Sequence, residues 1–570
     1  MKRHFSHMTR LPLKIAGLVV LFSLAFSHLA AAQITDTCTT GEATTDLDVG
    51  NVRARLYNAG NLFKREEGPV YNVPKAPPDE PITPNAIFIT SFWIGGKVND
   101  ELRVVAPRYG NWGFWPGPLG EDGAPPADCS AYDRIYSVYR DDILHYNETG
   151  EVTPDLAEWP WHLGAPVLNG DSSPNNYDLE AGDRPALIGD QIVWWVMNDV
   201  GNMHDWPGMP PIGLEVQVTA FAFDVPGLWG NTTFYRYRLR YRGAEPLEDA
   251  WLGFFVDADL GNASDDYMAT DTTLGMVYTY NADNTDEASD GYGENPPAVG
   301  FSFVQGLRME DDSKDNDGDG LTDEAGERLG MTRTFPQDVK NFVRRGRSSY
   351  QALRGLWEYF DDAPTCFGRN GVPFPNQTAC TGVAHFSYPG DPVTKAYWSE
   401  FNIDNEGTAY PPADRRFLLS SGPFHMEPSD EQEFTFAIVW ARGTDHLDSV
   451  SELRKAMRSI QRGFPVLSTP DSTLSQLPEP ELPATNAYTR NYPNPFTETT
   501  TIHYELADPA LVRLAVYDVL GREIAVLVDK AQEAGFYDVE FDGRNLPVGV
   551  YVYRLQVGTA IVSETMVRIR

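Results

Sequence analysis

Cysteine is scarce in this chain. Four occur among 570 residues, none in a Cys-x-x-Cys pair and none beside an acid–base partner in sequence, so structural use is expected before catalysis. Positive charge is also short: 45 Lys and Arg face 81 Asp and Glu, a net of -36. Such a surface repels DNA, RNA and anionic lipid, which excludes nucleic acid as a partner and leaves cations as what it attracts. Long apolar runs are missing as well. The one clear run, Ile15 to Phe26, is shorter than the roughly 20 residues that span a bilayer, so no transmembrane span is expected in the mature chain. Motifs of common chemistries are absent too: there is no His-Glu-x-x-His helix, Gly-x-Ser-x-Gly elbow, phosphate loop or dinucleotide-binding glycine pattern.

The run at Ile15–Phe26 has a context. Lys2, Arg3, Arg10 and Lys14 precede it without an acidic residue, and Ala30-Ala31-Ala32 follows it. A basic segment, a short apolar core and a small-residue cleavage site make a secretory signal at 1–32. Removing its four cations takes the net charge from -36 to -40. Export brings an oxidising compartment, and the simplest disulfides are Cys366 with Cys380 and Cys38 with Cys129.

The rest reads as mainly β and multidomain. An N-terminal part of the body, 33–200, is β-rich with long loops, and strands are expected at 86–94, 101–106 and 189–196. A β-sandwich body follows at 201–463, with apolar-rich segments near 214–224, 232–242, 248–257, 273–280 and 298–306. Along Phe234–Tyr241 the alternation predicts one wet and one dry face. Strands return near 415–420 and 433–441. Helices are expected at 349–360, with Tyr350, Leu353, Trp357 and Phe360 on one stripe, and after a Ser449/Glu452 capping box, with Val450, Leu453, Met457 and Ile460 inward. Residues 464–489 are a Pro/Ser/Thr linker. The closing segment, 490–570, alternates at Ile502/Tyr504/Leu506, Val512/Leu514/Val516, Tyr537/Val539/Phe541 and Tyr551/Tyr553/Leu555/Val557. Seven short strands in about 80 residues predict an immunoglobulin-like β-sandwich.

That last segment carries a resemblance. Asn491-Tyr-Pro-Asn-Pro-Phe496, Tyr517-Asp-Val-Leu-Gly-Arg-Glu523, Leu546-Pro-Val-Gly-Val-Tyr551 and Val567-Arg-Ile-Arg570 resemble the C-terminal sorting domain of type IX secretion cargo from gliding and related Gram-negative bacteria. The resemblance implies passage through the periplasm, recognition by the type IX machinery, and an extracellular or outer-membrane-surface destination. The body is similar to large uncharacterised secreted proteins of the same bacteria. That likeness runs through Gly50–Tyr57, Phe92-Trp-Ile-Gly-Gly96, Gly189–Asp199, Asp257-Ala-Asp-Leu-Gly261 and Phe417–Pro423, and it implies no activity.

Acidic charge is concentrated at 255–330, where 19 Asp or Glu face three Lys or Arg. Within it, Asp315-Asn-Asp-Gly-Asp-Gly-Leu-Thr-Asp323 sets carboxylates at alternate positions around a tight turn, the pattern of an oxygen-rich calcium loop. Asp315, Asp317 and Asp319 take positions one, three and five, the Leu321 carbonyl position seven, and Asp323 position nine. The loop resembles those of thrombospondin type-three repeats, dockerins and the EF-hand, with one departure. Position twelve is Gly326, and Glu327 stands one place later as the closing ligand. Asp257, Asp259, Asp265, Asp266 and Asp271 form a second acidic group, matching no single tight loop. The expected function is a secreted or cell-surface structural or binding protein with structural calcium, taking a surface polysaccharide or further copies of itself as partner. The alternative is a secreted carbohydrate-active hydrolase or glycan-binding adhesin, with Trp112, Trp115, Trp159, Trp161, Trp194, Trp195, His204 and Trp206 lining a groove or platform.

Overall fold

The computed structural model describes residues 38–65, 68–75, 84–110, 113–173, 175–204, 208–309, 326–337, 346–357, 363–367, 373–375, 384–471, 489–492, 496–506, 509–518, 522–532, 535–557 and 560–568. The leader 1–32, Asp315, Asp317, Asp319, Leu321, Asp323, Trp112, Trp206, Phe360 and Cys380 fall outside them, as does the side chain of Cys366. The Cys366–Cys380 pairing therefore lies outside the described residues.

Two large antiparallel sheets form the body. In chain order their main strands are β1 (Ile89–Val98), β2 (Tyr136–Tyr139), β3 (Gln191–Asn198), β4 (Leu214–Ala222), β5 (Thr232–Tyr241), β6 (Leu247–Asp257), β7 (Asp266–Asp271), β8 (Met276–Asn281), β9 (Ala298–Gln305), β10 (Arg333–Gln337), β11 (Arg416–Met426) and β12 (Glu431–Ala441). The first sheet runs β2-β3-β4-β5-β12-β9-β8-β7, with Trp115–Pro116 added on β3. The second runs β10-β11-β6-β1, extended by Asn61–Leu62 and Glu101–Val105, both on β1. Strands from both sides of residue 200 share each sheet, so the body interleaves.

The sheets stack through aromatic side chains. Phe254 of β6 lies on Phe436 of β12 with ring centroids 3.9 Å apart, Phe92 meets Tyr237 at 5.0 Å, and Phe301 meets Phe417 at 5.6 Å. Burial of this area is the main driving force for the sandwich. The alternation of β5 holds: Tyr235, Tyr237, Leu239 and Tyr241 are buried. On its other face, Arg236, Arg238 and Arg240 pair with Glu433, Glu431 and Glu215. Several strands, β3, β4, β7 and β8 among them, are buried along their whole length, so they do not alternate as β5 does.

Two helices differ from the sequence reading. One runs Gly346–Leu353 and packs Tyr350, Ala352 and Leu353 against Trp93, Trp251 and Phe255 of the second sheet. The stripe expected to reach Phe360 stops early because Gly355 turns the chain left-handed (φ +74°) and its N–H bonds the Ala352 carbonyl. Trp357 then sits in a short strand, Leu356–Trp357. The long helix spans His446–Leu467, capped by Asp445, whose carboxylate accepts from the N–H groups of Leu447 and Asp448. Ser449 is thus not the cap. It lies buried inside the helix and donates to the Pro296 carbonyl. The apolar face is as expected: Val450, Leu453, Met457 and Ile460 are fully buried. The helix also extends into the segment expected as linker, packing Phe464 on Phe234 at 5.6 Å.

The C-terminal unit has its own core. β13 (Thr489–Tyr492), β14 (Thr499–Leu506) and β17 (Gly535–Asp542) make one sheet. β16 (Glu523–Gln532), β15 (Ala510–Asp518), β18 (Gly549–Val557) and β19 (Ala560–Arg568) make the other, in the order β16-β15-β18-β19. Ile502, Tyr504, Leu506, Val512, Leu514, Val516, Phe541, Tyr551, Tyr553, Leu555 and Val557 fill the space between. This is the seven-stranded immunoglobulin-like sandwich read from the alternation.

Candidate functional site

Cys38 and Cys129 are joined, with Cα atoms 5.2 Å apart. The bridge is buried against Trp115, whose ring stacks on His204 at 5.4 Å. His204 is held by the Asp199 carbonyl, 2.7 Å from Nε2. Trp159, Trp194 and Trp195 are each about 1 % exposed, so these three of the tryptophans expected to line a carbohydrate groove are core residues. Trp161 is half-buried with the exposed His162 edge-on to it at 6.0 Å, and His145 is exposed. A cleft beside Trp194, lined by Arg134, Tyr136 and His162 among others, holds about 100 Å³.

The acidic region divides into distinct groups. Asp315–Asp323 falls outside the described residues, but its flanks pair: Leu307 with Leu329 and Arg308 with Arg328. Glu327 is fully buried there, and its carbonyl accepts from Met309.

Asp257, Asp259, Asp265, Asp266 and Asp271 do not meet as one cluster. Asp271 serves a turn, accepting from the N–H groups of Thr273 and Leu274, and pairs with Arg454 at 3.2 Å. Asp266 is buried and accepts from the Leu260 N–H at 3.0 Å. Burial and the neighbouring charges of Asp265, Asp259 and Asp286 push its carboxyl well above the usual range. Burial likewise lifts Asp265 to about 6, with Asn281 opposing and Asp286 adding. Asp286 closes this group, accepting from the N–H groups of Asn262 and Tyr292.

Asp257 and Asp259 join instead with Asp414, a residue the sequence reading did not select. One carboxylate oxygen from each of the three lies within 4.8 Å of the others. Asp257 ends β6. Its side chain is 1 % exposed, and its Oδ2 accepts from the Tyr109 hydroxyl at 2.6 Å and from Arg416 Nε at 3.0 Å. Arg416 also pairs with Asp414. Burial first, then the charges of Asp257 and Asp414, pushes Asp259 up to about 8, against a smaller lowering by Arg416. Burial and Asp257 raise Asp414 as well. The Oδ1 atoms of Asp257, Asp259 and Asp414 are all buried without a hydrogen-bond partner. Asp257 and Asp259 were legible as loop carboxylates beyond an apolar strand. Asp414 and Arg416 arrive from distant sequence through the pairing of β6 with β11, and Tyr109 follows the strand Glu101–Val105, which pairs with β1 beside β6; no local signal exists for either.

Residues 490–569 match the family model described as the secretion system C-terminal sorting domain. No curated protein matches the sequence of the chain. Among solved structures, a polysaccharide lyase aligns over 62 % of this chain and 34 % of its own, at 8 % identity and a TM-score of 0.21. This chain thus spans about a third of that protein. PorZ of Porphyromonas gingivalis, described as an essential bacterial surface component of the type IX secretion system, aligns over 69 % of this chain and 44 % of its own, at 11 % identity and a TM-score of 0.12. No helix among the described residues is long and apolar enough to cross a membrane.

Proposed function

We infer that this cargo of type IX secretion, carried by its sorting domain to the cell surface or beyond, serves there as a structural or binding protein braced by calcium. The position of the tryptophans carries the choice over a carbohydrate-active enzyme. A sugar groove needs aromatic faces turned to solvent. Trp115, Trp159, Trp194 and Trp195 turn theirs into the core. The cleft beside Trp194, at about 100 Å³, is well below the roughly 300–1,000 Å³ of small-molecule sites.

Calcium enters this reading through the acidic loop. Asp315, Asp317, Asp319 and Asp323 with the Leu321 carbonyl supply five hard oxygens in a turn rich in Gly and Asn. Glu327, the expected closing ligand, stands buried where the chain re-enters the body. The type IX machinery is the partner during export. A surface polysaccharide or further copies of the chain are the partners proposed after it.

Three measurements test this. A chain lacking 490–569 should accumulate in the periplasm with its body folded, while the full chain reaches the surface. Thermal unfolding of the mature protein should move to higher temperature in calcium, and Asp317→Asn with Asp319→Asn should diminish that rise. An unchanged midpoint refutes the calcium part. Release of reducing ends or unsaturated products from any of a panel of polysaccharides would replace the structural reading by the enzymatic one.

A further inference from the structure

We propose that Asp257, Asp259 and Asp414 form a divalent-cation site, distinct from the 315–323 loop, at the crossover between the body's two sheets. Three acceptors stand here with too little positive charge among them. Arg416 contributes one guanidinium, bound to Oδ2 of Asp257 and to Asp414, and the three carboxylates leave a formal charge of -2. Tyr109 and Arg416 both approach Asp257 from the Oδ2 side. Oδ1 of Asp257 is left buried and unpartnered on a side chain 1 % exposed, and Oδ1 of Asp259 and of Asp414 are also buried and unpartnered, on side chains more open than that. A buried carboxylate oxygen with nothing to bind is costly, so a charge that satisfies all three at once is strongly favoured.

The chemistry of the donors narrows the ion. All three are carboxylate oxygens, the hard ligands that calcium and magnesium take, and they lie within 4.8 Å of one another. Asp414, whose side chain is 33 % exposed, opens the site to water for the remaining coordination positions.

The location gives such an ion a task. Asp257 is the last residue of β6 in the second sheet, and its carbonyl accepts from the Phe88 N–H just before β1. Asp259 lies in the turn that carries the chain to β7 in the first sheet, and Asp414 lies two residues before β11. A cation held by all three ties together the ends of adjacent strands and the link between the layers.

The test uses the full mature chain with the loop silenced by Asp315→Asn, Asp317→Asn and Asp319→Asn. Calcium alone is titrated by calorimetry, and terbium emission is read on excitation of the aromatic side chains, Tyr109 being the nearest donor. The loop-silenced protein should keep one calcium-binding event and a calcium-dependent rise in thermal midpoint. Adding Asp259→Asn should weaken that event by more than about tenfold, since even residues that merely support a metal ligand cost about that much. Absence of the event in the loop-silenced protein, or an unchanged affinity with Asp259→Asn, overturns the site, the second outcome leaving a proton shared between Asp257 and Asp259 as the explanation of the cluster. Failure of the 315–323 loop shows separately, as a parent protein that binds no more calcium than the loop-silenced one. If Asp259→Asn does not fold, Asp414→Asn on the exposed side decides by the same criterion.

Discussion

Replacing Cys38 and Cys129 together by alanine removes a cross-link between residues 91 apart in sequence. In the chain-entropy description, opening a loop of that length restores about 15–16 cal/mol/K to the unfolded ensemble, or about 4.6 kcal/mol at 25 °C. The native state loses little by comparison. The Cys38 N–H still bonds the Gly201 carbonyl at 3.2 Å, and Asn202 Nδ2 still donates to the Cys38 carbonyl at 2.9 Å. The sulfurs leave a small void against Trp115, and alanine strands no polar group there. The expected loss is therefore about 3–5 kcal/mol, within the roughly 2–5 kcal/mol found when native disulfides are removed. Urea unfolding followed by tryptophan fluorescence is the suitable assay, because all 13 tryptophans precede residue 441 and none lies in the sorting domain. The midpoint should fall and the slope should rise slightly, as an unconstrained chain exposes more surface. A loss below about 1 kcal/mol would refute the reasoning, because it would mean that residues 38–129 are already restrained in the denatured chain.

Three further outcomes are expected. Phe254→Ala removes the ring that lies 3.9 Å from Phe436 at the centre of the sandwich and should cost about 3–5 kcal/mol, read by the same fluorescence transition. Arg454→Met leaves Asp271 and Asp391 without their shared cation and should cost about 3 kcal/mol, and Asp271→Asn should recover part of it, as a double-mutant cycle in thermal unfolding would report. Burial lowers the His446 pKa below its ordinary 6.5, against the charges of Asp445 and Asp283. The unfolded chain then takes up a proton that the folded one refuses, so this residue's contribution is complete above pH 6.5 and declines as pH falls below it. His446→Gln should flatten that decline between pH 7 and the folded-state pKa, and an unaltered slope of thermal midpoint against pH would refute it.

The sequence made legible what repeats along it. Tyr551, Tyr553, Leu555 and Val557 alternate because one face of β18 is buried, and all four are in the core. Val450, Leu453, Met457 and Ile460 recur at helical spacing because one stripe meets the first sheet. Boundaries were less legible where two local signals competed. Ser449 and Asp445 are both good caps, and Asp445 prevails because Ser449 is drawn inward to the Pro296 carbonyl. The tryptophans were open to two readings because composition does not tell a ring facing solvent from one facing a sheet. The acidic group at 257–271 separated because its members lie at the ends of strands in different sheets. Its missing member, Asp414, is near Asp257 only through the register that sets Asp257 opposite Arg416.

The strand order has a consequence for how this chain can be delivered. β11 and β12 are contributed late in the body, separated by only Glu427–Asp430, yet each takes an interior place: β12 between β5 and β9, β11 between β6 and β10. A translocon passing the chain from its N-terminus releases β5 and β9, of ten and eight residues, with the strand that joins them still to come. Until Met426 has emerged the second sheet lacks β11, until Ala441 the first lacks β12, and the open edges invite pairing with other chains. A product cut short between Gln305 and Arg416 is thus not a smaller version of the body but a pair of half-sheets prone to aggregate. The arrival of the 26 residues Arg416–Ala441 fills the missing interior place in both sheets.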